Sequence, residues 1–212
     1  METRMFKVYA KADPAVALKV IPGHFATNHS HINYYIDLTT LKARQNEAQA
    51  AARLLAYYSN YSIVDTIVCL DGSEVIGAFL ARHLAKKEVF SVNSNKNINV
   101  VTPEYDSNGQ LIFRDNLTPM IVGREVLILI STVNSGKSAR RTLECVQYYG
   151  GKVQGIAAIF SMLEQVDGIP VYSLFSPDDI AGYISSSPKE CPMCRAGQKI
   201  DALANSFGLS ML

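Results

Sequence analysis

The chain has 212 residues, of which 48% are hydrophobic, and a formal net charge of +1 at pH 7. This length suits one α/β domain with a sizeable core, and the near-zero charge gives no reason to expect nucleic acid as a partner. Because there is no apolar run of about 18 residues, no secretory leader and only four cysteines, we expect a cytoplasmic protein without a membrane span or a disulfide scaffold.

The first 40 or so residues give a mixed pattern, which we expect to form an N-terminal cap of strand and loop. Residues 5–21 join short apolar pieces to prolines, and residues 22–38 are rich in His, Asn and Tyr. Three histidines in that second segment, His24, His29 and His31, suggest a metal site. No acid or cysteine stands near them at ligand spacing, so we favour exposed or hydrogen-bonded loop residues.

A first strand–loop–helix unit follows a helix predicted over residues 41–58, which are rich in good helix formers. The β-branched run at 63–70 predicts a buried strand. Asp71, Gly72 and Ser73 form a turn, in which Ser73 can cap a helix over residues 74–87. The turn could offer its backbone N–H groups to a ligand.

Residues 88–123 have a different character. Short strand candidates at 89–92 and 98–101 are separated by polar residues, and the turn at 107–109 predicts a hairpin between Tyr105 and residues 111–113. We interpret the segment as an antiparallel flap beside a parallel sheet, in a position to cover a site.

The most informative stretch runs from Arg124 to Ser138. Residues 126–130 predict a buried strand, small and polar residues follow at once, and residues 139–149 predict a helix. The first N–H groups of a helix lack intrahelical partners, the dipole is positive there, and Gly136 lets an anion come close. The pattern predicts a binding site for a phosphorylated ligand.

Further buried strands are predicted at 153–160 and 170–175, with a helix start at 176–179. Alternating strands and helices indicate an α/β fold, a mostly parallel sheet with helices on both faces and the antiparallel flap in addition. In such sheets ligands bind at the carboxyl ends of the strands, where the loops at 71–73 and 131–138 both fall.

The tail, about residues 185–212, contains Cys191 and Cys194 in a Cys-x-x-Cys pattern, which is half of a structural zinc site. The remaining two ligands would come from histidines or from a partner subunit, since Cys69 and Cys145 fall in a predicted core strand and helix. The alternative is a turn with two free thiols.

One interpretation of residues 131–138 is a nucleotide P-loop, because Gly136, Lys137 and Ser138 fit its end. Ser131 stands where a P-loop has its first glycine, however, and neither later strand ends in an Asp that could hold Mg²⁺. We keep this as a second alternative.

The same stretch, Val-Leu-Ile-Leu-Ile-Ser-Thr-Val-Asn-Ser-Gly-Lys-Ser over residues 126–138, resembles the type I phosphoribosyltransferase family. Residues 23–37 are similar to the N-terminal segment of orotate phosphoribosyltransferases. The turn at 71–73 falls where the family keeps its pyrophosphate loop, and the Cys-Pro-x-Cys-x-x-Gly tail is similar to that of bacterial relatives. The resemblance spans most of the chain and implies one domain over residues 1–212.

The resemblance also implies a ligand and an assembly. The family binds phosphoribosyl pyrophosphate with Mg²⁺, joins its ribose to a base nitrogen and releases pyrophosphate, so a homodimer with a small-molecule ligand is expected. Asp71, Gly72 and Ser73 would then face the pyrophosphate. The phosphate and ribose would be held by residues of the central stretch: Ser131, Thr132, Asn134, Ser135, Gly136, Lys137 and Ser138.

The sequence departs from the family at the two acids that hold the ribose hydroxyls, because Ile130 and Ser131 occupy those positions. The segment 88–123 also lacks the histidine of the orotate enzymes' flexible loop. Two hypotheses therefore stand: an enzyme most like orotate phosphoribosyltransferase, and a catalytically impaired relative that acts as a ligand sensor or partner protein.

Overall fold

A computed structural model describes residues 4–59, 62–86 and 92–212. The strands in chain order are β1 (Phe6–Tyr9), β2 (Ala17–Ala26), β3 (His31–Asp37), β4 (Thr66–Cys69), β5 (Asn99–Val101), β6 (Glu104–Tyr105), β7 (Leu111–Ile112), β8 (Glu125–Val133), β9 (Lys152–Ser161), β10 (Gln165–Val166), β11 (Ile169–Phe175), β12 (Ser185–Ser186), β13 (Ala202–Asn205) and β14 (Gly208–Met211). The α-helices are α1 (Thr39–Ala43), α2 (Gln45–Ser59), α3 (Glu74–Leu84), α4 (Lys137–Tyr148) and α5 (Pro192–Arg195).

The central sheet has the strand order β10-β11-β9-β8-β4-β5. All pairings from β11 to β5 are parallel, and only the short edge strand β10 is antiparallel. Helices α2 and α3 pack on one face and α4 packs on the other, so the predicted parallel sheet with helices on both faces is confirmed. Near-continuous apolar runs such as Val126–Ile130 suit a sheet that is buried on both sides.

Strand β8 extends further than the sequence predicted. Its pairing with β9 continues as far as Val133 opposite Ser161, so Ser131 and Thr132 belong to the strand and not to the loop. Their polarity suggested a loop, but the ladder to β9 satisfies the backbone in an extended conformation. The loop proper is therefore short, from Asn134 to Gly136.

The helix predicted over 41–58 is in fact two helices, because Arg44 adopts an extended backbone conformation between α1 and α2. The helix start predicted at 176–179 is a single 3₁₀ turn, in which the Ser176 N–H donates to Asp179 Oδ2 at 2.9 Å. Both deviations lie at the ends of elements, where pattern alone is least informative.

The predicted antiparallel flap over 88–123 is only partly correct. The strand candidate at 98–101 corresponds to β5, which pairs in parallel with β4 at the edge of the central sheet. Within the described part of this segment, residues 92–123, antiparallel pairing is confined to β6 and β7, which form the predicted hairpin. Most of the other candidate, 89–92, lies outside the described residues.

The N-terminal segment and the tail share a second sheet, in the order β12-β3-β2-β13-β14, with β1 paired to β2. Strand β13 lies parallel to β2, with Ala202 opposite Phe25. These strands enclose a small core of their own around Phe25, Ile32 and Ala202. The sequence did not show that the two ends of the chain form one unit, here called the hood. No helix within the described ranges is long and apolar enough to cross a membrane.

Candidate ligand-binding cleft and histidine–cysteine cluster

A cleft of about 220 Å³ lies between the carboxyl ends of the central strands and the hood. The parallel strands run β5, β4, β8, β9, β11 across the sheet, so chain order reverses direction between β4 and β8. Ligands of open α/β sheets bind at such a switch point. The loop after β4 reaches the cleft through Asp71, and the end of β8 with the loop and helix start after it reaches the cleft through residues 130–139, at the strand ends where the sequence placed both loops.

Helix α4 begins at the floor of this cleft. Its N-cap, Gly136, has φ of +75°, and the first intrahelical bond runs from the Arg140 N–H to the Gly136 carbonyl at 2.8 Å. The N–H groups of Lys137, Ser138 and Ala139 precede that bond, so the helix supplies them no carbonyl. A Cβ on Gly136 would lie 2.9 Å from Leu163 Cδ1, so both backbone angle and space favour glycine here.

The predicted phosphate-binding residues all line the cleft: Ser131, Thr132, Asn134, Ser135, Gly136, Lys137 and Ser138. Ser135, Lys137 and Ser138 are exposed, which leaves two hydroxyls and an ammonium group free to reach an anion. Together with the helix N-terminus they give this end of the cleft a positive potential.

Asn134 is held by a residue that the sequence did not identify. Tyr183 donates its hydroxyl to Asn134 Oδ1 at 3.0 Å, and its ring packs against Phe160 with centroids 4.9 Å apart. Burial raises the pKa of Tyr183 well above its usual value, although the bond to Asn134 opposes the change. The phenol therefore stays a donor and fixes the Asn134 amide at the cleft wall.

The turn after β4 has two consecutive left-handed residues, Asp71 with φ of +59° and Gly72 with φ of +73°. A non-glycine residue in this region is uncommon and is retained by its surroundings. Asp71 lines the cleft. Ser73 is buried and its Oγ donates to the Leu129 carbonyl at 3.3 Å, so the predicted side-chain cap of α3 is wrong.

Lys42 fixes this turn against the hood. Its ammonium donates to the carbonyls of Asp71, at 2.7 Å, and of Ser206 in the β13–β14 turn, at 2.6 Å. Burial lowers the pKa of Lys42, while the charge of Asp71 opposes that change. Burial likewise raises the pKa of Asp71, which the Ser206 hydrogen bond and Lys42 partly offset. Pattern analysis missed Lys42, since it is one cation in an ordinary helix.

The two positions that hold acids in the resembled family border the cleft but expose almost no surface to it. Ile130 is 1% exposed and packs in a core cluster with Leu143 and Ile156. Ser131 is 2% exposed, and its Oγ donates to the Asp71 carbonyl at 3.4 Å. Among the described residues that line the cleft, Asp71 is the only carboxylate.

Four potential metal ligands converge in the hood, away from the cleft floor. His24, His31, Cys191 and Cys194 each contribute an atom to a group whose members all lie within 4.8 Å of one another. His24 lies in a bulge of β2, between Pro22 and Phe25, and His31 begins β3. We call these four residues the histidine–cysteine cluster.

The preference for exposed or loop histidines is therefore wrong for two of the three. His24 is fully buried and His31 is 8% exposed, both on strands, and only His29 lies in the connecting loop. Sequence spacing misled because the first cysteine of the cluster, Cys191, is 167 residues from His24. Parallel pairing of β13 with β2 brings the tail back beside them.

No family model matches the chain. Orotate phosphoribosyltransferase of Chlorobium phaeobacteroides is 22% identical over 187 residues, which cover 86% of this chain and 88% of that protein. The enzyme of the same name from Sulfurimonas denitrificans is 25% identical over 209 residues, covering 91% and 94%.

Solved structures give the same class. Mycobacterium tuberculosis orotate phosphoribosyltransferase in complex with phosphoribosyl pyrophosphate superposes with a TM-score of 0.52 at 16% identity, over 69% of this chain and 83% of that one. Adenine phosphoribosyltransferase of Thermoanaerobacter pseudethanolicus gives 0.53 at 14% identity, over 82% and 96%.

The chain thus has the type I phosphoribosyltransferase fold. Its sequence is similar to those of proteins named orotate phosphoribosyltransferase.

Proposed function

We propose that this chain binds phosphoribosyl pyrophosphate or a nucleotide in the cleft, with the ligand's 5′-phosphate at the N-terminus of α4. The observation that carries the proposal is the free first turn of α4 behind Gly136, bordered by the exposed Ser135, Lys137 and Ser138. A phosphate there would accept backbone N–H and hydroxyl bonds and meet a positive helix end.

A P-loop mode of nucleotide binding is less well supported. In a P-loop, the backbone N–H groups that follow the first glycine surround the bound phosphate. Ser131, at that position, is buried within β8 and pairs in the sheet, so the backbone there does not curve around a ligand.

The names of the relatives and the structure of the cleft favour different hypotheses about whether the chain catalyses phosphoribosyl transfer. The relatives' names favour transfer of a phosphoribosyl group to a base such as orotate. The cleft favours binding without efficient turnover, because Ile130 and Ser131 present no carboxylate to a ribose. Electrostatic stabilisation of developing charge is usually the largest catalytic contribution, so we propose a catalytically impaired relative as the alternative to an orotate-type enzyme.

Mg²⁺ fits the protein side of this cleft poorly. Mg²⁺ prefers one or two ionised carboxylates besides phosphate oxygens. Asp71 alone is available among the described lining residues, and burial raises its pKa. The ligand's own pyrophosphate would have to supply most of the oxygens.

Calorimetric titration with phosphoribosyl pyrophosphate, with and without Mg²⁺, tests the binding proposal. We expect saturable binding that weakens by about tenfold in a Lys137→Ala/Ser138→Ala double variant, since a charge-assisted bond and a hydroxyl bond are lost. Arg141→Ala is the matched control, because Arg141 is exposed on the same helix but is not among the cleft residues. Equal affinities in all three proteins, or no binding at all, would overturn the proposal.

Pyrophosphate release in the presence of orotate, phosphoribosyl pyrophosphate and Mg²⁺ separates the two chemistries. Turnover establishes an orotate-type enzyme. Binding without release establishes the impaired relative, for which a sensor or partner role remains. Sedimentation of the same samples tests the homodimer that the family resemblance implies.

A further inference from the structure

We propose that the histidine–cysteine cluster is a structural zinc site, with His24 Nε2, His31 Nδ1 and the thiolates of Cys191 and Cys194 as its four ligands. This inference does not depend on what the cleft binds. Cys₂His₂ is a standard ligand set of closed, structural zinc sites, and a Cys-x₂-Cys turn is their usual thiolate pair.

The distances between ligand atoms fit a tetrahedral ion. Zinc–ligand bonds of about 2.3 Å to sulfur and 2.0–2.1 Å to nitrogen place ligand atoms about 3.3 Å apart for two nitrogens and about 3.5 Å for sulfur and nitrogen. Here His24 Nε2 lies 3.1 Å from His31 Nδ1. Cys191 Sγ lies 3.5 Å from His24 Nε2, and Cys194 Sγ lies 3.6 Å from the same atom and 3.2 Å from His31 Nδ1.

A hydrogen bond to a neighbouring carbonyl also orients the His24 ring and fixes its tautomer, as is usual for histidine ligands of metals. His24 Nδ1 lies 3.0 Å from the Gln198 carbonyl oxygen, which can only accept a hydrogen bond. The proton must therefore be on Nδ1, and the lone pair of Nε2 faces the other three ligands. Gln198 lies in the same short segment as Cys191 and Cys194, so one segment supplies two ligands and the group that orients a third.

Burial and charge favour zinc over four free side chains. Cys191, His24 and His31 are buried, and Cys194 lies at the edge of the group. Two thiolates and two neutral imidazoles exactly balance the charge of Zn²⁺, which avoids the cost of an uncompensated buried charge. Two sulfurs and two nitrogens in tetrahedral array suit zinc better than the oxygen-seeking Mg²⁺ or Ca²⁺.

The position of the cluster gives it a structural role. His24 and His31 stand on either side of the β2–β3 loop, whose residues 27–30 line the cleft. The cysteines anchor the tail, whose β13–β14 turn brings Asn205 and Ser206 to the same cleft. A zinc ion here adds a tie between two walls of the cleft, which also pair through β2 and β13.

Elemental analysis of the purified full-length protein is the first test. We expect about one zinc per chain in the wild type and well under half of that in Cys194→Ser, since a three-ligand site holds the ion more weakly. Cys145→Ser is the matched control, because Cys145 is a cysteine of helix α4 outside the cluster, and it should retain full zinc. A wild type without zinc, or Cys194→Ser with full zinc, would overturn the assignment.

Cobalt substitution gives a readout that does not depend on the variants folding. Co²⁺ added to metal-stripped wild-type protein should give the visible absorption of a tetrahedral site and sulfur-to-cobalt charge-transfer bands, at one equivalent. Thiol counting under denaturing conditions completes the test. A Cys191–Cys194 disulfide in freshly purified protein, or octahedral cobalt spectra, would reject the site.

Discussion

The two halves of the β8–α4 segment differ in what they present to the cleft, although they are adjacent in sequence. From Asn134 to Ser138 the chain turns out of the sheet, and small polar residues surround a free helix N-terminus. At Ile130 and Ser131 the chain is still paired within the sheet, and both side chains are buried. One half is shaped for an anion, and the other belongs to the core.

Under the proposed function, this difference makes phosphate binding and ribose chemistry separable properties of one segment. The phosphate half depends on backbone geometry, which a few small residues and Gly136 are enough to maintain. The other half depends on which side chains stand at two positions, and here they serve packing. A segment of this kind can therefore have the backbone geometry of an anion site without carboxylates beside it.

The largest expected effect comes from Ile130→Glu. An ionisable group would enter a cluster containing Leu143 and Ile156, so we expect a loss of about 3–5 kcal/mol in the free energy of unfolding. Chemical denaturation measures it. Ile130→Leu, which conserves volume, should cost less than about 1.5 kcal/mol. If Ile130→Glu were instead stable and raised pyrophosphate release, a side chain at position 130 would act on a ligand in the cleft rather than pack in the core, and the contrast between the halves would fail.

Gly136→Ala should affect both stability and binding. A Cβ at φ of +75° costs about 1–2 kcal/mol, and it would also press on Leu163 at 2.9 Å and narrow the anion site. Gly150→Ala is the matched control at the other end of α4, with φ of +77° and no neighbouring atom within 4 Å. We expect similar strain in both variants but weakened phosphoribosyl pyrophosphate binding only in Gly136→Ala. Equal binding by calorimetry would show that Gly136 is not part of the phosphate site.

The smallest expected effect lies at the opposite end of β8. Asp65 accepts hydrogen bonds from Lys96 Nζ at 2.8 Å and from the Glu125 N–H at 3.1 Å. The hydrogen bond from Lys96 lowers the pKa of Asp65. Burial raises that pKa, and the hydrogen bond from the Glu125 N–H lowers it further. A carboxyl with a lowered folded pKa stabilises the protein above its unfolded pKa of about 3.9, and this stabilisation is lost as pH falls through the folded value.

Asp65→Asn should therefore cost about 1 kcal/mol of unfolding free energy at pH 7 and progressively less below about pH 4. Thermal unfolding at several pH values measures the change. Binding of phosphoribosyl pyrophosphate should not alter, because Asp65 lies far from the carboxyl ends of the strands. If the loss in unfolding free energy caused by Asp65→Asn did not shrink at acidic pH, the charge of the carboxylate would not be what stabilises this end of the sheet.

Much of the fold follows from local pattern. The buried strands at β4, β8, β9 and β11 are β-branched or apolar runs of the right length, and helices α3 and α4 follow β4 and β8 as parallel connections require. The free end of α4 was predictable because a strand, a small-residue loop and a helix are contiguous. The end of β8 was not, since whether Ser131 pairs or turns depends on its neighbour β9.

The sequence by itself determined the proposed anion site at Asn134–Ser138, since every group that forms it lies within one short segment and its geometry is that of a helix start. Only the tertiary structure decided that Lys42 and Tyr183 support the cleft, that Ile130 faces the core, and that His24 and His31 meet Cys191 and Cys194. Those relations join residues separated by tens to more than a hundred positions. They are set by strand order and by the pairing of β13 with β2, which no local periodicity encodes.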